Sequence, residues 1–196
     1  MTRTRLLAAP VALACALLLP ACSSDDSSAD STPSGSASSG SAEEFTPGTL
    51  DEDILARFSS CADIEPFVAD YIDGLEAAPS SEAGENGAYC QWETPDSATD
   101  PGEIRTVGIT LEPGTGVVYS ADQMGGSGLT VISDADIEGA GGIAYTLEQE
   151  IAVASVAVTT VTLPEVSVTV TGGRWGDLPA LDGPASVTVA KELIGI

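Results

Sequence analysis

Histidine is missing from this 196-residue chain, and its absence limits what the other residues can do. A Ser-His-Asp triad, a Cys-His pair and a His-ligated zinc site are all excluded. The single lysine, Lys191, lies near the C-terminus. The negative end of a helix accounts for it there better than a Ser-Lys catalytic pair does. Two carboxylates held about 5–10 Å apart can hydrolyse a glycoside without histidine. The 30 acidic residues offer many such pairs and single out none, so a carboxylate-based hydrolase of cell-wall sugars is the alternative reading rather than the leading one.

Asp134-Ala135-Asp136-Ile137-Glu138-Gly139 is a more specific pattern. Oxygen ligands at alternating positions before a glycine match the first half of a calcium loop, with Asp134, Asp136 and Glu138 as the ligands. The second half departs from the pattern. Tyr145 stands where a bidentate acid belongs, and Glu148 comes three residues late. An acidic surface turn is the simpler reading, and a calcium-responsive surface domain the sharper one. Trp175, beside Arg174 in Gly173-Arg174-Trp175-Gly176-Asp177, is either an exposed contact for a partner or a lid over the core.

The N-terminus gives the address. Arg3 and Arg5 precede an apolar stretch, residues 6–19, broken by Pro10. That order is a secretory signal, and the stretch is shorter than the roughly 20 apolar residues that span a bilayer. Leu19-Pro20-Ala21-Cys22 resembles the lipobox of bacterial lipoproteins. The resemblance implies removal of residues 1–21, a diacylglycerol thioether on Cys22, and a location on the outer face of a cell membrane. Stable anchoring takes two or more acyl chains. Residues 23–44, rich in Ser, Asp, Ala and Gly, are too polar to order themselves. They read as a tether with a reach of about 25 Å.

Four cysteines are present. Cys15 lies in the signal and Cys22 in the lipobox. Cys61 and Cys90 remain, on the oxidising side of the membrane, and most simply form a disulfide. No further thiol or imidazole could complete a metal site with them.

The formal net charge is −24. Loss of Arg3 and Arg5 leaves 4 basic against 30 acidic side chains, a net of −26. Such a surface repels phosphate backbones and anionic lipid heads, which excludes nucleic acid and leaves any membrane contact to the acyl group.

A single domain over residues 45–196 must position these groups. Residues 50–58 read as a helical turn with acids at its start, and residues 66–73 as a helix opened by Pro66 and stopped by Gly74. Residues 88–93 and 104–111 read as strands, residues 117–124 are ambiguous, and residues 125–128 are a loop. Residues 151–163 and 166–171, rich in Val and Thr, read as a long antiparallel hairpin turning at Pro164-Glu165. Val156 and Val158 are out of phase with Val161 and Leu163, which points to a bulge or twist at Thr159-Thr160. Residues 184–194 read as a helix, with a final strand as the alternative because Val187, Thr188 and Val189 are β-branched. The fold class is α+β: mainly antiparallel sheet, flanking helices and one disulfide.

The lipobox, Cys61 before a helix, Cys90-Gln91-Trp92, and Gly139-Ala140-Gly141-Gly142-Ile143-Ala144-Tyr145 leading into Val/Thr strands together resemble a family of actinobacterial cell-envelope lipoproteins that share a domain of unknown function. The family often has an acid where Gly142 stands and Leu-Leu where Ala62-Asp63 stands. The resemblance covers residues 61–196 and implies an antiparallel sheet with flanking helices, and no reaction. The expected role is a non-catalytic binding or accessory module of the envelope, with a membrane contact through lipid and an envelope protein or wall component as partner.

Overall fold

A computed structural model describes residues 52–100, 102–151 and 154–196. They belong to one compact unit, residues 41–196. Residues 1–51, where the signal segment, the lipidated Cys22 and the tether are expected, lie outside the described residues.

Strands β1 (Glu76–Ala77), β2 (Glu82–Gly84), β3 (Gly87–Glu93), β4 (Thr106–Pro113), β5 (Thr130–Ile132), β6 (Ile143–Ile151), β7 (Ala154–Thr162) and β8 (Val166–Trp175) form one sheet. Its order is β1-β3-β4-β8-β7-β6-β5, with β2 also on β3. Every pairing is antiparallel. The helices are α1 (Glu52–Ala56), α2 (Glu65–Val68), α3 (Ala121–Gly126), α4 (Ala135–Gly139) and α5 (Gly183–Ile194), with a 3₁₀ turn at Cys61–Asp63.

Alternation along the strands sorts two faces. Cys90, Trp92, Val107, Ile109, Leu111, Val166, Val168 and Val170 point to a buried side. Helix α5 packs there against β7 and β8, and Leu55, Phe58, Ile64 and Val68 complete the same core. Trp92 is in this core with Cys90, and its indole N–H has no partner among the described residues. The opposite side leaves Tyr89, Leu147 and Val156 exposed, as antiparallel sheets with one solvated face commonly do.

The Val/Thr segments, β7 and β8, pair with each other antiparallel inside the sheet. Strand β8 lies between β4 and β7, and β7 between β8 and β6, so both are interior strands. Their register runs unbroken from Thr162↔Ser167 to Ala154↔Trp175, and the bulge expected at Thr159-Thr160 is absent. Ala157, Thr159 and Val161 face the core, while Val156 is exposed on the other side. A threonine can hold the core position because its hydroxyl is satisfied: Thr159 Oγ1 donates to Thr146 Oγ1 at 3.0 Å.

Local rules were overruled in two helices. Residues 66–73 give only the single turn of α2, followed by looser turns through Ile72 and Leu75. The carbonyls of Tyr71 and Asp73 accept from the Arg105 guanidinium instead. Residues 183–194 are helical despite their β-branched run. Val187, Ala190 and Leu193 repeat at three-residue spacing and are buried, and each large side chain so buried contributes about 1.5–3 kcal/mol. Asp182 caps the start by accepting from Ala185 N at 3.3 Å. Gly195, at φ 80°, ends the helix in a left-handed turn.

Candidate functional site

The acids of the calcium-like segment already have a cation. Asp134 is the N-cap of α4, its Oδ1 accepting from the N–H groups of Asp136 and Ile137. Its Oδ2 accepts from Lys191 Nζ at 3.0 Å, and Asp136 Oδ2 from the same ammonium at 2.5 Å. Glu138 is exposed beside a separate crevice with Tyr119 and Ser133. Among the described residues no three carboxylates, cysteines or histidines come together to hold a metal ion. The hydrogen bond from Lys191 holds the Asp134 carboxyl below its ordinary value of 3.8. Asp136 and Asp134 together push Lys191 above 10.5. The cluster ties the last turn of α5 to the start of α4. Glu148, the late acid of the calcium pattern, accepts from Gly183 N at 3.1 Å, at the opposite end of α5.

Cys61 and Cys90 are bonded, with Cα atoms 5.5 Å apart. The bridge pins the 3₁₀ turn to the middle of β3.

Arg174 and Trp175 do not form one contact surface. Successive strand residues point to opposite faces, and Arg174 reaches Asp182 at 3.6 Å. Trp175 is nine-tenths buried. Its ring folds back over Gly173, whose added Cβ would lie 3.0 Å from the indole edge and 1.9 Å from the Ser155 carbonyl oxygen. The tryptophan closes one end of the sheet and lines a cavity of 660 Å³ with Leu75, Pro95, Arg105 and Leu178. Arg105 spends its guanidinium on two backbone carbonyls. The rim acids Glu103 and Asp177 are exposed, which is not the enclosed carboxylate pair that sugar hydrolysis needs.

The open face of the sheet has more to offer a partner. Cross-strand registers set Tyr89 beside Thr110, Thr110 beside Thr169, Thr169 beside Thr160, and Thr160 beside Tyr145. Two tyrosines therefore bracket three threonines in one row across five strands. With neighbouring strands about 4.8 Å apart, the row spans roughly 19 Å. The Thr160 and Thr169 hydroxyls lie 3.0 Å apart. On β3, Tyr89 donates to Gln91, which donates to Glu93, so the edge side chains hold one another in place.

At one end of this face a groove of 590 Å³ is lined by Glu112, Val117, Tyr119, Tyr145, Thr162 and Ser167. The loop carrying Val117 and Tyr119 is pinned to the β7–β8 turn. Gly114 N donates to Glu165 O at 2.6 Å and Gly116 N to Pro164 O at 3.0 Å. Only glycine fits at 114, since a Cβ would lie 2.2 Å from the Pro164 carbonyl oxygen. Among the described residues, the side chains of Glu112, Tyr119, Tyr145, Thr162 and Ser167 make no internal hydrogen bond, unlike Thr146 and Thr159 in the core.

The three central strands β4, β8 and β7 contain two charged side chains, Glu112 and Arg174. Arg174 turns to Asp182, which leaves Glu112 as the one charge they place on the open face. Charge depletion with aromatic enrichment is the compositional mark of an interface core.

No protein-family model, curated protein or solved structure matches this chain. Among the described residues no helix is long and apolar enough to cross a membrane. Trp175 was visible as a candidate in the sequence, whereas Tyr89, Tyr119, Tyr145 and the threonine row were not. Thr160, Thr162, Thr169 and Thr171 do alternate within their strands, and that polar phase was the available signal.

Proposed function

We propose that this chain is a lipid-anchored, non-catalytic binding module on the extracytoplasmic face of a bacterial cell membrane. Cys22 carries the lipid, residues 23–44 act as a tether, and residues 45–196 are the displayed domain. The β7–β8 pair, read as one long Val/Thr hairpin, is the centre of that display. Membership in the lipoprotein family that the lipobox, Cys61, Cys90-Gln91-Trp92 and the 139–145 segment resemble agrees with this reading. The observation that carries it is the charge-poor, tyrosine-bracketed open face, with Glu112 as the one charge on its central strands, on a chain with 30 acidic residues. The partner is an envelope component that this face contacts.

Two measurements test the proposal. Metabolic labelling with a palmitate analogue should mark the native chain and not the Cys22→Ala variant. Purified Cys22→Ala protein should co-sediment with isolated cell envelopes, and Thr169→Glu, which puts a charge at the middle of the row, should release it. Label on the Cys22→Ala variant would overturn the anchor. Sedimentation unchanged by Thr169→Glu would overturn the binding face.

A further inference from the structure

We infer that the open face binds a neutral polysaccharide, with the Tyr89–Tyr145 row as its track and the Tyr119 groove as one end. The inference rests on the open face being the binding surface proposed above and names the ligand class.

A sugar ring carries hydroxyls around its edge and apolar C–H bonds on its faces. The row supplies both complements. Threonine hydroxyls donate and accept, and tyrosine presents an apolar ring with a polar tip. Tyr89 and Tyr119 are 44% and 52% exposed, open enough to meet a ligand. Gly108 lies between Gln91 and Thr171 in the next row. Its missing side chain leaves a shallow dip, since a Cβ there would only touch Thr171 at 3.5 Å. A track of roughly 19 Å fits a chain of sugars better than a monosaccharide.

Charge narrows the choice of occupant. Polyanions are repelled by a net charge of −26. A polycation would find Glu112 on the three central strands and Glu82 and Glu93 around Tyr89, but no acid along the threonines of the row itself. A second copy of this chain would bring an equal negative charge and meet long-range repulsion. A neutral glycan meets none of these obstacles, and it can use the Thr110 and Tyr145 hydroxyls, which make no hydrogen bond among the described residues, and the remaining lone pairs of the Thr160–Thr169 pair.

The test uses the full-length Cys22→Ala protein in affinity electrophoresis and calorimetry. The probes are a mannan, a galactan and a β-glucan, with polygalacturonate as the anionic control. At least one neutral polymer should bind, and polygalacturonate should not. The double variant Thr110→Val, Thr169→Val keeps β-branched shape and removes two hydroxyls. It should weaken binding roughly tenfold, since a net neutral hydrogen bond is worth about 0.5–1.5 kcal/mol. Tyr89→Ala should weaken binding at least as much. Both variants should unfold at the native temperature, which separates lost contacts from lost fold. Binding to no neutral polymer, or full affinity in the double valine variant, would overturn the inference. Envelope sedimentation of the same proteins then decides separately whether the binding face itself stands: charge-sensitive sedimentation without glycan affinity would point to a protein partner and against the ligand class named here.

Discussion

Reducing the Cys61–Cys90 bridge should cost the domain about 3.5 kcal/mol. The two cysteines are 29 residues apart, and closing a loop of that length removes roughly this much conformational free energy from the unfolded chain. Reduction is a cleaner perturbation than substitution. Cys90 is fully buried beside Ile109, so Cys90→Ala would add a cavity term, whereas reduction leaves both sulfurs in place. The native side also loses a restraint. The bridge holds the 3₁₀ turn against β3, and that turn leads directly to Ile64, which is fully buried. Urea unfolding of oxidised and reduced protein, followed by tryptophan fluorescence, is the assay. For a slope of about 2 kcal/mol/M the midpoint should fall by nearly 2 M. Coincident midpoints would refute the reasoning, because they would mean that the unfolded chain gains nothing from losing the loop. The prediction also reaches the candidate site, since Tyr89 and Gln91 flank Cys90 on β3.

Three further outcomes are expected. Lys191→Met should lower the melting temperature between about pH 5 and 9. Asp134 is held below its ordinary 3.8, so its contribution is present above that pH and is lost as pH falls through the folded value. Lys191 is held above 10.5, so its contribution is present below that pH and is lost as pH rises through the folded value. The difference between native and variant should therefore shrink at both extremes, and a difference constant down to pH 2 would show that the cluster does not contribute through charge. Millimolar calcium should leave the native melting temperature unchanged, because Lys191 already occupies the space between Asp134 and Asp136; a rise abolished by Asp134→Ala would restore the calcium reading. Thr159→Val should destabilise by about 1 kcal/mol by removing the hydrogen bond that Thr159 donates to Thr146, whose own hydroxyl keeps its bond to Val158 O, while Thr146→Val made on that background should cost less than in the native chain; additive losses in a double-mutant cycle would show the two hydroxyls to be independent.

What the sequence disclosed and what it hid follow from the range of the forces involved. The strands over β3 and β4, the turn at Pro164-Glu165 and the caps of α5 are local events, and alternation, Pro and Gly mark them. The supposed slip at Thr159-Thr160 came from treating valine as a core residue wherever it occurs. Here Val156 sits on the solvated face and Thr159 in the core, because a partner twelve or more residues away satisfies the hydroxyl. Strand β6 was obscured for a related reason. Glu148, Gln149 and Glu150 interrupt its apolar alternation, yet the backbone pairs with β7 throughout its length. The calcium-like spacing was real as a pattern, but the cation that answers it arrives from Lys191, more than fifty residues on. The site was hidden most deeply. Tyr89, Thr110, Thr169, Thr160 and Tyr145 belong to five strands, and only the sheet order makes them a row.

The distribution of acids gives the open face its weight as a site. Spread evenly, the 30 acids of the chain would place roughly four on β4, β7 and β8; Glu112 is the only one there. Strand propensity disfavours carboxylates, and that alone would thin them out. It would do so in every strand, however, and β6 keeps both Glu148 and Glu150 while β3 ends on Glu93. The depletion is therefore concentrated where the three strands present one continuous surface. Elsewhere the acidity keeps the molecule soluble and repels further copies of itself. On the open face the same acidity would have cost nothing in stability, since those positions reach water. A solvent-facing surface that keeps only Glu112 on its central strands, carries hydroxyls and is flanked by tyrosines is better explained by what it touches than by what it holds together.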